Sequence, residues 1–153
     1  MAMTPDARLA INASVVGSNP TGLGIYSIKL IRALDEVRDD FFVYSSSPEA
    51  FGSLRARIGR VPRAARPDYG ARGHVIRLVW LQGAFRLWLS RTRVQGLLNT
   101  VPEGALRPPV PQATVVHDLL PLRFPPEYPR QQYYFRFLVP RILRASRVVI
   151  ADS

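Results

Sequence analysis

Two adjacent polar residues, His117 and Asp118, break an apolar stretch between Val115-Val116 and Leu119. An imidazole at the mouth of a buried strand can donate to a substrate hydroxyl or carry a proton near neutral pH. The carboxylate beside it can orient the ring or bind a sugar hydroxyl. The alternative for the same pair is a histidine satisfied by nearby backbone and an aspartate capping the next turn. The abrupt change from apolar to polar favours chemistry. The other histidine, His74, follows an arginine-rich stretch and reads as structural.

A second candidate is the run Pro20-Thr21-Gly22-Leu23-Gly24-Ile25-Tyr26. Glycines admit close backbone approach, and free N–H groups at a helix start attract phosphate. A lone Gly-x-Gly is a weak signal, and the third glycine of a dinucleotide fingerprint is missing, since Ile28 follows Ser27. On its own the loop reads better as a tight turn with close helix-to-sheet packing.

Other chemistries lack their residues. The chain has no cysteine and only two histidines, so thiolate chemistry, disulfides and a catalytic zinc site are not expected. There is no Gly-x-Ser-x-Gly elbow, and Ser14, Ser18 and Ser153 have no spacing that points to a base. A Gly-x4-Gly-Lys-[Ser/Thr] loop and carboxylates at glycosidase spacing are also missing.

The elements that must position these residues follow from periodicity. Residues 8–16 (RLAINASVV) read as a strand, 17–21 as a loop, and 22–37 as a helix. In that helix Leu23, Tyr26, Leu30 and Leu34 share a face, with Thr21 as N-cap. Residues 41–44 form a second strand. Residues 45–72 carry Pro48, Pro62 and Pro67 and many arginines. They predict a short helix at 49–58 and then a mobile basic loop. A third strand is expected at 74–79, an amphipathic helix at 81–93, and strands at 96–101 and 113–118. Proline-rich loops fill 102–111 and 121–129. A helix at 130–146, kinked by Pro140, leads to a last strand at 147–151. Strands that are nearly unbroken apolar runs, alternating with helices, specify a parallel sheet covered on both faces: an α/β, Rossmann-like layer. Ligands of such sheets bind beyond the carboxyl ends of the strands. The glycine loop, Asn99 with Thr100 and Pro102, the His117-Asp118 pair, and Asp152 with Ser153 should therefore converge on one rim.

Composition bounds the rest. A chain of 153 residues, 47% hydrophobic and 21% charged, has room for one domain with a real core. No run approaches a membrane span and residues 1–6 carry no signal-peptide pattern. Together with the missing cysteines, that fits a cytoplasmic protein. The net charge is +10, and every basic residue but Lys29 is arginine. A solvated arginine-rich surface is the plainest account. Attraction to an anionic membrane surface comes next, placing the chain at the inner face of a membrane. Nucleic acid is last, because the arginines do not interleave with aromatics in a binding motif.

Four segments, in order, resemble the N-terminal domain of family-4 glycosyltransferases of the mannosyltransferase-like branch. They are the segment 20–26 with Leu30 and Ala33-Leu34; Arg77-Leu78-Val79-Trp80-Leu81-Gln82, with Leu81 where many relatives have glutamate; Val115 to Leu122 around His117-Asp118; and the run 134–153. The resemblance implies a GT-B fold of two Rossmann-like domains, of which this is the N-terminal, acceptor-side half. It implies retaining transfer of a sugar from a nucleotide-diphosphate sugar to a glycan or lipid-linked acceptor, with no metal and no other cofactor. His117 would contact the transferred sugar, with Asp118 beside it as the second catalytic candidate. Gly22, Leu23, Gly24, Tyr26 and Asn99 would bind substrate. Relatives continue past the equivalent of Ser153 into a donor-binding domain. The segment 1–153 is therefore expected to be an incomplete half, from a truncated frame, a split gene or a partial product, and inactive alone. The competing reading is a non-catalytic basic Rossmann-like module that docks on an anionic membrane or a protein partner. Its carriers would be the arginines of 55–72 and 130–147.

Overall fold

The computed structural model describes residues 8–151. Six strands form one parallel sheet: β1 (Leu9–Asn12), β2 (Phe41–Ser45), β3 (Arg57–Arg60), β4 (Gly96–Asn99), β5 (Gln112–Val116) and β6 (Val148–Ala151). Their order is β3-β2-β1-β4-β5-β6. The expected α/β, Rossmann-like sheet is present. Its order reverses between β1 and β4, which places a crevice beyond the carboxyl ends of those two strands.

Alternation along the strands assigns the two faces. Ile11, Phe41 and Val43 pack with Ile28 and Ile31 of helix α1 (Gly22–Val37). Ala10, Phe42, Tyr44 and Leu97 pack on the other face against Leu81, Phe85 and Leu89. Complete burial of each such leucine or phenylalanine contributes roughly 1.5–3 kcal/mol. The two layers therefore fix the middle of the sheet firmly.

The segment 74–79 is not a strand. It lies in α2 (Gly70–Trp80), which runs on through a π turn at Leu81–Phe85 into α3 (Arg86–Ser90). Val75 and Val79 imitate a strand, yet both face solvent. The stripe that matters is Gly73, Arg77, Leu81, Phe85 and Leu89, all buried at intervals of four. A wide π turn keeps residues four apart in register where an α-helix would drift.

The third strand is β3, inside the segment expected to be helix and mobile loop. In place of the helix expected at 49–58 there is a 3₁₀ turn, Pro48–Phe51, and two more, Arg63–Ala65 and Pro67–Tyr69, follow before α2. Gly52 ends the first with φ +65°. The Asp35 carboxylate then accepts from the N–H groups of Arg55 and Ala56, at 2.8 Å each, and turns the chain into β3. Gly59 lies so close to the Tyr44 ring that a Cβ would overlap it. The basic segment is fixed as well: Arg66 donates to the Ser46 carbonyl at 3.0 Å and to Glu49 at 2.9 Å.

Beyond β5 the short helix α4 (Leu120–Arg123) occupies the start of the expected loop. The predicted last helix comprises α5 (Gln131–Tyr133), a π turn at Tyr134–Leu138 and α6 (Val139–Arg144). Pro140 falls just after the π turn, where the widened backbone meets its missing N–H. Val148, Val149 and Ile150 of β6 are exposed, at 51%, 47% and 41%.

Candidate functional site

The glycine loop follows β1 and opens α1. Thr21 sits at the N-cap in extended conformation, as expected, but its side chain makes no capping hydrogen bond. Its carbonyl accepts from the Gly24 N–H at 2.7 Å. Gly22 has φ +33°, whereas Gly24 is required by packing: a Cβ there would lie 3.0 Å from Pro20 Cβ. Across the loop stands Asp68, whose carboxylate accepts from Ser18 N at 3.2 Å and Ser18 Oγ at 2.5 Å. The Ser18 hydroxyl, then its N–H, hold the Asp68 carboxyl below its ordinary range. Asn19, Pro20, Thr21, Gly24 and Asp68 enclose a cavity of about 330 Å³. One N–H of the loop is thus already committed to a carboxylate.

His117 follows β5. Its Nε2 lies 2.8 Å from the Thr100 carbonyl. A carbonyl can only accept, so Nε2 carries a proton. Tyr26 from α1 meets the imidazole edge-on, with centroids 4.4 Å apart. Thr100 also accepts from Ser27 Oγ at 2.8 Å and donates to the Asn12 carbonyl at 3.2 Å. The ring is thereby tied to α1, β1 and β4 at once. Asp118 is exposed and its Oδ1 accepts from Leu120 N at 3.0 Å, capping the turn into α4. Both structural roles weighed for this pair are realised, while the His117 ring remains at the rim.

Asn99 lies lower. It is fully buried, accepts from Asn12 Nδ2 at 3.2 Å and donates to Gln112 and Thr114 at 3.1 Å each. Its amide is spent on joining β1, β4 and β5, so it supports the rim from below. Leu23 is 40% exposed and faces the cavities. Asp152 and Ser153 lie outside the described residues.

A cluster whose pairing the sequence did not signal forms the floor of a second pocket of about 560 Å³. Arg77 is 5% exposed and grips Glu103 with both arms, Nε to Oε2 at 2.8 Å and a terminal nitrogen to Oε1 at 3.0 Å. A third donor reaches the Ala65 carbonyl at 2.9 Å. His74, read as structural and placed on a strand, comes from α2 with Nε2 3.5 Å from Glu103 Oε1. Burial lowers its pKa; Glu103 opposes that shift and Arg77 adds to it. The ring is therefore neutral at pH 7. Tyr134 meets it edge-on at 4.7 Å and donates to the Pro102 carbonyl at 2.6 Å. Burial and then Glu103 hold its phenol protonated. Asp118, Leu120 and Arg130 edge this pocket, and Val15, Leu23 and Pro67 line both cavities, which makes them one groove.

The loop 102–111 holds Glu103 in place. Gln82 donates to the Gly104 carbonyl at 3.0 Å and accepts from Leu106 N at 2.8 Å. Gln112 donates to the Ala105 carbonyl at 2.8 Å, and Asn12 donates to the Glu103 carbonyl at 2.8 Å. Arg77 and Gln82 were marked in the sequence as the ends of the resembling segment 77–82, and Arg77 also as an arginine inside an apolar run, but neither signal pointed to Glu103.

No family model and no solved structure gives a match to the chain. Among curated proteins it is similar to the O-antigen chain mannosyltransferase RfbU of Salmonella typhimurium (strain LT2), with 26% identity over 151 residues. The match covers 95% of this chain, which spans 42% of the length of that relative.

Proposed function

We propose that this chain is the N-terminal, acceptor-side part of a retaining family-4 glycosyltransferase of GT-B fold. The complete enzyme would move a sugar from a nucleotide-diphosphate sugar to a glycan or lipid-linked acceptor. The similarity to a mannosyltransferase along nearly the whole chain carries this reading most. The groove at the strand-order reversal supports it, because its chemistry suits a polyol: neutral His74, a protonated phenol, and carboxylates at Asp68 and Asp118.

In this reading the acceptor lies in the pocket above Arg77 and Glu103. The transferred sugar sits between the glycine loop and His117. Thr100 and Tyr26 fix the imidazole before substrate arrives, so little ordering entropy remains to be lost on binding. The second domain, which would hold the nucleotide, is an expectation from the resemblance, as is inactivity of this segment alone.

The test is His117→Ala in a polypeptide that joins this segment to a donor-binding half. Transfer of labelled sugar should fall by at least about a hundredfold, the scale of a positioned proton-transfer or hydrogen-bonding group. The circular dichroism spectrum and unfolding midpoint should barely change. Transfer at the parent rate would sink the role given to His117.

A further inference from the structure

The two arginine-rich stretches reach opposite edges of the sheet. Arg57 and Arg60 stand on β3, one edge of the sheet, while the second group flanks β6, the opposite edge. The first has one exposed large apolar side chain among its arginines, Tyr69, whereas the second is interleaved with several. Leu119, Leu122 and Phe124 around α4 are 40–51% exposed, and Tyr133 and Phe137 on the last helix are 61% and 51% exposed. α4 packs against α5 and the following π turn, so these side chains belong to one surface. Along the last helix Arg130, Tyr133, Phe137, Arg141 and Arg144 are all exposed at spacings of three and four, one outer face, while Val139 and Ile142 point inward. Arg141 donates to the Phe137 carbonyl at 2.9 Å, which confirms that they are neighbours. Two further arginines lie over aromatic rings: Arg123 is 5.6 Å from the Phe124 centroid and Arg136 6.0 Å from that of Phe137.

The charge of this face is one-sided. Residues 119–147 contain six arginines and a single acid, Glu127. The ion pairs of the described residues all lie elsewhere. Aromatic and leucine side chains beside guanidinium groups are what a bilayer interface selects: rings enter the headgroup boundary while arginines meet phosphates. We propose that the α4–α6 face binds the surface of an anionic phospholipid bilayer. Leu120 and Arg130 also edge the larger pocket, so its mouth opens toward the bound membrane.

The experiment is flotation of the full chain with vesicles of phosphatidylcholine alone or containing about one third phosphatidylglycerol, at low and high salt. Binding is expected to the anionic vesicles only, weakening as salt screens the contact. The pair Arg141→Gln/Arg144→Gln should lower affinity roughly 25-fold, at about fivefold per arginine near such a surface. Phe137→Ser should weaken binding at every salt concentration. Arg60→Gln/Arg63→Gln, at the far edge, should bind like the parent; equal loss there would mean undirected charge attraction and overturn the proposal. So would failure to float with anionic vesicles at low salt. Concentration-dependent association without lipid, abolished by Phe137→Ser, would instead identify a second copy of the chain as the occupant. Circular dichroism shows that each variant is folded.

Discussion

At the scale of single residues, polar side chains set against apolar neighbours were readable, but their duties were not. Tyr26 and His117 do meet at the rim, as do Gly22 and Gly24 in their loop. Asn99 was conspicuous for the same reason, yet it is enclosed and holds three strands together. Arg77 and Glu103 are 26 residues apart, and no local rule couples them. Their pairing depends on loop 102–111 folding back over α2. Because Arg77 and Glu103 are buried, removing one charge strands the other. Glu103→Leu should cost about 3–5 kcal/mol in chemical denaturation, whereas Arg77→Met/Glu103→Leu should recover most of that loss. Additive losses in the double variant would show that the two charges are not coupled.

At the scale of elements, helices α1 and α5–α6 and most strands were legible because their apolar periodicity is plain. The helix expected at 81–93 is present over 81–90, but the segment 70–80 was not legible, because Val75, Ile76 and Val79 carry β-branched side chains and a strand-like alternation. Its helical stripe has a spacing of four, and only the π turn makes that spacing sustainable. Two glycines of this helix should answer alanine in opposite ways. At Gly83 a Cβ meets nothing within 4 Å, and Gly83→Ala should stabilise by about 0.5–1 kcal/mol. At Gly73 it would overlap the Arg66 carbonyl, and Gly73→Ala should destabilise by about 1–3 kcal/mol despite its better helix propensity. Urea midpoints decide it, and stabilisation by both would place Arg66 elsewhere. β3 escaped notice because it is four residues long and two of them are arginine.

At the scale of the whole molecule, alternating strands and helices were enough to specify the parallel sheet. Its order and the reversal between β1 and β4 came only from the structure, because strand order follows from which crossover packs over which face. β6 is the weak side of this arrangement. Its three large apolar side chains are exposed and its outer edge faces no strand among the described residues. Val149→Lys should raise the concentration at which light scattering begins, since a charge on an edge strand opposes pairing with another sheet. An unchanged threshold would locate self-association elsewhere. The middle of the sheet is the opposite case. Asn12 and Asn99 stand in register on β1 and β4, and their amides are bonded across the reversal. The crevice therefore has a stiff floor beneath walls supplied by α1, α2 and α5. Any breathing of the groove must come from those walls tilting, so its depth is constant while its width can adapt to what enters.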